Sequence, residues 1–358
     1  MDVFSAYFSE VPDPRASNAR HDLLDVMFIA LAAVLCGAED CTDMALFGRA
    51  KLGVLREVLE LPYGPPSHDT FSRVFRLLQP EPFEAAFTKF TQAMAGALEG
   101  VVAIDGKALR GAYERGRKAN PLHLINVWAA DARLVIGQRL APDRNEAVGA
   151  REALALLRLD GCIVTADALH CVAETARAIL DTGADYALAV KGNQRSLLKQ
   201  ARAATDHLGP EDAAVGGSER AHDRQERRSA WVVAAPNLDF PGAAAFARIE
   251  ASRQEAHKDS SLAVRYFVLS RLLTPEEILH VARTHWTIEN QLHWVLDVRL
   301  AEDAHRSRKD HAPQNLALVR KLALNTLRQH PDKGSIKGKI KRAGWDDTFL
   351  ASLFAHMR

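Results

Sequence analysis

The amino-acid sequence predicts an α/β fold in which a mixed sheet is flanked by helices. Three observations lead to this prediction. The first 95 residues show helical periodicity without a strand pattern, residues 100–192 alternate apolar strand-like runs with helical segments, and residues 227–269 return to strand-like runs. A helix with a strong start signal then begins near residue 274. We therefore predict an N-terminal all-helical domain, a sheet-based core, and a β-strand insertion before the last helix of that core.

These changes of pattern divide the chain into five segments. We place the helical domain, the first part of the core, the β-rich insertion, the closing helices of the core and a basic C-terminal tail at 1–95, 96–205, 206–271, 272–330 and 331–358. A chain of 358 residues is long enough to bury a substantial core.

Charge is balanced overall but unevenly distributed. The formal net charge is +1, yet residues 299–342 carry twelve Lys and Arg against four Asp and Glu. This local excess suits a polyanionic partner, and a solvated helical surface explains such a run equally well.

Cysteine usage and hydropathy indicate a cytoplasmic protein. The four cysteines lack the C-x-x-C spacing of zinc sites, so we predict reduced thiols at Cys36, Cys41, Cys162 and Cys171. The apolar run 26–35 is too short to cross a bilayer, and acidic residues precede it, which argues against a signal peptide. No membrane contact is expected.

The N-terminal segment predicts at least two helices. One follows Pro12 and Pro14 and ends at Gly37, and a second is capped by Ser67 or Asp69. Basic side chains project from this segment at Arg49, Lys51, Arg56, Arg73 and Arg76. A helix-turn-helix-like DNA reader and a purely structural helical appendage both fit this pattern.

Two apolar strands of the core each end in an aspartate. We predict that strand 101–105 ends at Asp105 and enters a turn, and that strand 162–167 ends at Asp167. Between them lie an antiparallel pair, 123–130 and 133–140, and a helix. Functional groups collect at the carboxyl ends of strands in α/β sheets, although an aspartate there also serves as an ordinary turn initiator.

A third carboxylate lies on the closing helix. The segment 274–277, Thr-Pro-Glu-Glu, is a capping box with proline at the first helical position. The resulting phase places Glu289, His293 and Asp297 one turn apart on a single stripe. This stripe borders an apolar face formed by Ile278, Val281, Ile288, Leu292 and Val295.

Carboxylates from three separate elements form a set that can hold divalent cations through oxygen ligands. With Asp105 bridging two ions, and Asp167 and Glu289 each holding one, such a site supports in-line phosphodiester displacement. Crowding the three acids without metal raises at least one pKa. A zinc or iron site from His285, Glu289 and His293 is a weaker alternative. The sequence carries no nucleotide-binding glycine motif and no G-x-S-x-G serine hydrolase motif.

Five ordered motifs of the core resemble the DDE transposases of bacterial insertion sequences, and within them the ISAs-type group that includes the H-repeat-associated proteins. Two N-terminal motifs extend the resemblance over nearly the whole chain. The seven motifs span 103–111, 165–170, 187–194, 222–228, 285–297, 12–15 and 66–75.

The resemblance implies an RNase H-like core, interrupted by a β-strand insertion, whose catalytic triad is Asp105, Asp167 and Glu289. It implies two Mg²⁺ ions, with Mn²⁺ as a substitute, and double-stranded DNA partners, namely terminal inverted repeats and target DNA. A homodimer in the synaptic complex and a cytoplasmic, nucleoid-associated location are further expectations. We assign DNA contacts to Lys107, Arg110, Lys191, Arg224, Arg227, Arg283 and His293.

One departure concerns the closing helix. Related hairpin-forming transposases carry Tyr, Arg, Glu and Lys there, and the corresponding residues of this chain are Ala282, His285, Glu289 and Leu296. A hairpin intermediate is therefore not predicted. Two other functions remain open at this point, a transposase-derived DNA-binding protein without transposition activity and an RNase H-like nuclease.

Overall fold

The computed structural model describes residues 2–113, 121–221, 224–255 and 261–356, and for 2, 214–221, 224–225, 255 and 356 it describes the backbone alone. Within these ranges nine strands form one sheet in the order β3-β2-β1-β4-β5-β9-β8-β7-β6. The strands are β1 (Gly100–Tyr113), β2 (Pro121–Ala129), β3 (Leu134–Leu140), β4 (Cys162–Ala166), β5 (Asp185–Val190), β6 (Ala214–Ala221), β7 (Arg224–Ala234), β8 (Ala245–Glu255) and β9 (Ser261–Leu269).

The sheet is mixed, which confirms the predicted fold class. Strands β1, β4 and β5 are parallel, whereas β2 and β3 form an antiparallel edge. At the other side β9 pairs antiparallel with β5, so the strands of the insertion continue the core sheet. The insertion therefore extends the sheet of the core. Its strands β7 and β8 contact the closing helix that begins at Pro275.

Helices cover both faces of the sheet. They are α1 (Asp2–Phe8), α2 (Leu23–Leu35), α3 (Cys41–Ala50), α4 (Leu52–Arg56), α5 (His68–Leu77), α6 (Pro80–Ala95), α7 (Glu146–Leu154), α8 (Ala173–Asp181), α9 (Arg195–Thr205), α10 (Pro275–His285), α11 (Trp294–Arg299), α12 (Ala312–Gln329), α13 (Ile336–Trp345) and α14 (Asp347–His356). Among them, none combines the length and apolarity needed to cross a bilayer.

Alternate side chains of β1 pack into two hydrophobic cores, one on each face of the sheet. Val101 and Ala103 enter the core shared with α10, α12 and the N-terminal helices, whereas Val102 and Ile104 enter the core covered by α7, α8 and α9. By the same alternation, Asp105 lies on the α10 side of the sheet.

Strand β1 continues through the segment that we predicted as a turn. The two glycines of that segment mark close approaches within the strand. A Cβ at Gly106 would lie 2.5 Å from the Glu146 carboxyl carbon, and one at Gly111 would lie 2.1 Å from the His305 carbonyl oxygen. Gly111 is therefore needed for packing against backbone, whereas at Gly106 the Glu146 carboxylate would have to move. The prediction of a turn is wrong, because β1 runs through both glycines.

The predicted basic tail is folded. Residues 336–356 form α13 and α14, which pack on α2 and α12, and the Phe354 ring lies 4.9 Å from the Phe28 ring, centroid to centroid. The Lys339 ammonium is buried and donates to the carbonyl oxygens of Leu327 and His330. Part of the local basic excess is thus structural, because Arg320 and Lys321 are also buried.

Candidate active site

The register of the sheet brings the two aspartates to the same level. Strands β1 and β4 pair in parallel up to Ile104 and Ala166, and the next residues are Asp105 and Asp167. Strand β4 ends there, as predicted, so Asp167 follows a strand end. Asp105 does not, because β1 continues as the partner of β2, with Asp105 opposite Asn126.

The closing helix starts as predicted but contains an irregular turn. Thr274 accepts a hydrogen bond from the Glu277 backbone N–H and the Glu277 carboxylate accepts one from the Thr274 N–H, which completes the capping box. A π-helical segment, Ile288–His293, then separates α10 from α11. After this segment Leu296 is fully buried, whereas Val295, which we predicted on the apolar face, is only partly buried.

Glu289, Asp105 and His293 meet at the π-helical segment. One ligand atom of each lies within 4.8 Å of the others. The His293 Nδ1 is 3.4 Å from Glu289 Oε2 and 3.8 Å from Asp105 Oδ2. Burial, followed by the neighbouring Glu289 carboxylate, raises the pKa of Asp105, whereas hydrogen bonding to His293 lowers the pKa of Glu289. The predicted crowding of acids is therefore present between Asp105 and Glu289.

A cleft of about 260 Å³ lies at this point, and Asp167 lines it together with Asp105 and Glu289. The Asp167 carboxylate accepts a hydrogen bond from the Lys191 ammonium at 2.9 Å. Burial is the largest single influence and opposes ionisation of Asp167. The Lys191 hydrogen bond, the Ala168 backbone N–H and the Lys191 charge together outweigh it, so the pKa of the carboxyl lies below its usual value. Three carboxylates thus line one cleft, and two of them approach each other closely.

A basic groove adjoins this cleft. It has a volume of about 470 Å³ and lies between strands β7–β9 and helix α10. Trp286 and Arg265 line both the groove and the cleft, and the Arg265 guanidinium lies 5.2 Å from the Trp286 ring centroid. Three more arginines line the groove, namely Arg228, Arg253 and Arg283.

The residues assigned to DNA contacts fall into two groups. Four are exposed on the surface: Arg110, Lys191, Arg227 and Arg283. Lys107 and His293 are buried, which contradicts their assignment as DNA-facing groups. The Lys107 ammonium contacts the carboxylates of Asp297, Glu302 and Asp303, because it follows Asp105 by two residues and faces the closing helix. The side chain of Arg224 lies outside the described part of the chain.

Sequence reasoning missed a cluster behind Asp105, on the opposite face of the sheet. Glu146, the first residue of α7, lies 3.1 Å from the His123 Nδ1 and 3.9 Å from the His170 Nε2. Its negative charge also contributes to the raised pKa of Asp105. No spacing in the sequence indicates this cluster, because its three members belong to β2, α7 and the turn after Asp167.

Comparison with known proteins identifies the family. A protein-family sequence model described as "Transposase DDE domain" matches residues 96–326. A second family model, described as "DDE_Tnp_1-associated", matches residues 5–91. The chain belongs to the DDE transposase family. The sheet order β3-β2-β1-β4-β5 accordingly forms the RNase H-like core that the resemblance implied, and the resemblance and the assignment as a DNA transposase are both confirmed.

Several relatives carry transposase names. The chain is 33% identical to the "H repeat-associated putative transposase YhhI" of Escherichia coli (strain K12), over 98% of this chain and 97% of that one. It is 31% identical to the "Putative transposase YncI" of Escherichia coli O157:H7, over 98% and 93%. Among solved structures, the chain is similar to a piggyBac transposase synaptic complex with hairpin DNA, at a TM-score of 0.46 and 14% identity, over 98% of this chain and 77% of that chain.

Proposed function

We propose that this DDE transposase hydrolyses one strand at each end of its element and joins the released 3′-hydroxyl to target DNA. The observation that supports the proposal most strongly is the cleft into which β1, the end of β4 and the closing helix bring Asp105, Asp167 and Glu289. In the first step water attacks phosphorus and the 3′-oxygen leaves. In the second step that 3′-hydroxyl attacks a target phosphodiester and displaces its 3′-oxygen.

The chemistry of these residues fits divalent cations, for which we propose two Mg²⁺ ions, with Mn²⁺ as a substitute. The donor atoms are hard carboxylate oxygens, and the close approach of Asp105 and Glu289 is unfavourable without a cation. Bound divalent cations would stabilise the attacking and leaving oxygens of the displacement. Asp105 is central in this arrangement, because it approaches Glu289 and sits beside the end of β4.

The basic groove supports a DNA path to the cleft. Its arginines can contact phosphates, and the half-exposed Trp286 ring at its junction with the cleft can stack on a base. We propose that the groove receives double-stranded DNA of the terminal inverted repeats, with the target approaching the cleft. Joining two ends in one reaction requires two copies of the chain, so we propose a homodimer in the synaptic complex.

The test replaces each carboxylate by its amide. We expect Asp105→Asn, Asp167→Asn and Glu289→Gln each to reduce Mg²⁺-dependent cleavage of element ends by at least about 10³-fold, because an amide does not neutralise the cation. DNA binding in a gel-shift assay should change little. Glu276→Gln, at an exposed acid on the same helix, should cleave normally. Retention of cleavage by any triad variant would contradict the assignment.

A second assay separates transposition from simple nuclease action. With pre-cleaved ends bearing free 3′-hydroxyls, the wild-type protein should join them to target DNA in the presence of Mg²⁺. Cleavage of intact ends without joining would identify an RNase H-like nuclease, and binding without either reaction would identify a DNA-binding derivative.

A further inference from the structure

His293 lies inside the protein and faces the proposed metal centre. It is 6% exposed, and its Nδ1 lies 3.4 Å from Glu289 Oε2 and 3.8 Å from Asp105 Oδ2. A buried imidazole of this kind is poorly placed to contact DNA. Its ring nitrogen is instead the third donor in the group formed with the two carboxylates.

The spacing of these donors fits the coordination sphere of a single ion. Around an octahedral ion with bonds of about 2.1 Å, adjacent donors lie about 3 Å apart and opposite donors about 4 Å apart. The three donor atoms of Asp105, Glu289 and His293 all lie within 4.8 Å of one another. Small side-chain adjustments therefore suffice to bring all three to one cation.

The other ring nitrogen of His293 has a buried partner suited to a metal ligand. The His293 Nε2 lies 3.3 Å from the side-chain nitrogen Nδ2 of Asn126, a residue that is completely buried opposite Asp105 on β2. An imidazole that binds a cation through Nδ1 carries its proton on Nε2 and must donate it. Among the residues that the structure describes, none is hydrogen-bonded to the Asn126 Oδ1, and turning the amide by 180° lets this oxygen accept that proton.

We propose that His293 is a nitrogen ligand to the cation held by Asp105 and Glu289, and that Asn126 holds its ring in the required tautomer. The inference rests on the proposed function, because it concerns the same metal centre. A nitrogen donor favours Mn²⁺ over Mg²⁺ relative to a site made of oxygen alone. This centre should therefore bind Mn²⁺ more tightly than Mg²⁺.

The alternative is that His293 only positions Glu289, by donating a hydrogen bond from Nδ1. In that case the ring contributes no electron pair to the cation. The two arrangements differ in whether the nitrogen nucleus couples to a paramagnetic ion, and this difference can be measured without any enzymatic assay.

The experiment uses pulsed electron paramagnetic resonance of Mn²⁺ bound to the full chain, prepared with ¹⁴N- or ¹⁵N-histidine. We expect a directly coordinated nitrogen signal that changes with the isotope. It should disappear in His293→Gln and persist in His285→Gln, a matched control because His285 lines the same cleft on the same helix. Asn126→Ala should weaken Mn²⁺ binding about 10- to 100-fold.

The outcomes separate the two proposals. If Mn²⁺ binding depends on Asp105 and Glu289 but shows no nitrogen coupling in the wild-type protein, the His293 assignment is wrong and the metal centre stands. If coupling is lost in His285→Gln instead, the assignment is also wrong. If Asp105→Asn leaves Mn²⁺ binding unchanged, both the ligand assignment and the proposed metal centre fail. If His293→Gln does not fold, the isotope comparison in the wild-type protein still shows whether a histidine coordinates Mn²⁺, and absence of the isotope-dependent signal overturns the proposal. A signal that persists in His285→Gln then assigns the nitrogen to His293, the histidine grouped with Asp105 and Glu289.

Discussion

At the scale of single residues, the buried Lys107 connects strand β1 with the closing helix. Its ammonium lies 2.7 Å from Asp297, 3.3 Å from Glu302 and 3.0 Å from Asp303. Burial opposes its charge, but the carboxylates outweigh burial and raise the pKa of Lys107. Asp105 lies on β1 two residues before Lys107, and Glu289 lies on the closing helix eight residues before Asp297. The ion pairs of Lys107 therefore connect the two elements that carry these candidate catalytic acids.

Removal of this ammonium should therefore destabilise the protein. We expect Lys107→Met to lower the free energy of unfolding by about 3–5 kcal/mol, because the buried Glu302 and the partly buried Asp297 and Asp303 lose a shared cation. Arg110→Met is the control, since Arg110 is 83% exposed and its ion pair with Asp303 should contribute at most about 1 kcal/mol. Urea unfolding measures both. Equal, small losses would show that the buried cluster contributes no more than the surface pair.

Protonation of His305 should lower the free energy of unfolding at acidic pH. Burial and the nearby Arg320 guanidinium lower the pKa of His305 to about 4. An unfolded histidine titrates near 6.5, so protonation favours the unfolded chain, and stability is lost as pH falls from about 6.5 towards 4. At pH 5 the loss from this group is about 2 kcal/mol. Unfolding of His305→Gln at pH 7 and pH 5 should show a smaller difference than the wild-type protein, and an unchanged difference would exclude His305 as the cause.

At the scale of elements, the closing helix combines a regular start with an irregular centre. The capping box satisfies two backbone N–H groups at Thr274 and Glu277, which fixes where the helix begins. The π-helical segment Ile288–His293 lies where Glu289 and His293 approach Asp105. Segments of this kind frequently occur at functional sites, because the wider turn rearranges side chains without ending the helix.

The Thr274 cap should make a measurable contribution to the stability of the protein. Thr274→Ala should lower the free energy of unfolding by about 1 kcal/mol, because the Glu277 N–H loses its acceptor. Thr274→Ser retains the hydroxyl and should be close to the wild-type protein. Thermal and urea unfolding of the three proteins provide the comparison. If Ala and Ser variants are equally stable, the hydroxyl is not a stabilising cap.

At the scale of the whole molecule, the helical N-terminal region is not a separate module. Helix α12 packs on α2, α5, α6 and β3, so one hydrophobic core includes the N-terminal helices and one face of the sheet. Buried polar contacts cross the same junction, where the Glu84 carboxylate of α6 accepts from Gln314, Gln138 and Arg139. A DNA-reading role for residues 1–95 remains a prediction, but such a reader would be rigidly attached to the core.

The C-terminal helices should contribute to this shared core. We expect Phe354→Ala to lower the free energy of unfolding by about 3–5 kcal/mol, because the ring is 2% exposed and packs on Phe28. Trp345→Ala is the matched control, since Trp345 is 79% exposed and its loss should cost little. Urea unfolding measures both variants. A Phe354 variant as stable as the wild-type protein would mean that α14 does not stabilise the core.

Much of the architecture, and the three carboxylates that line the cleft, could be predicted from the sequence. Strand and helix periods, the capping box at Thr274 and the Ser67 cap are local patterns, and the structure has each of them. Strand ends and the stripe on the closing helix predict Asp105, Asp167 and Glu289, and motif position agrees; the three line one cleft, and their catalytic roles stay predictions.

The sequence by itself therefore determined the mixed sheet, its insertion and the three carboxylates, because neighbouring residues encode backbone periods and caps. Only the tertiary structure decided which polar side chains are buried. Lys107 and His293 look like surface cations in sequence, yet both are enclosed by residues from distant segments. Burial and donor geometry depend on contacts between β1, β2 and the closing helix, and no local pattern records those contacts.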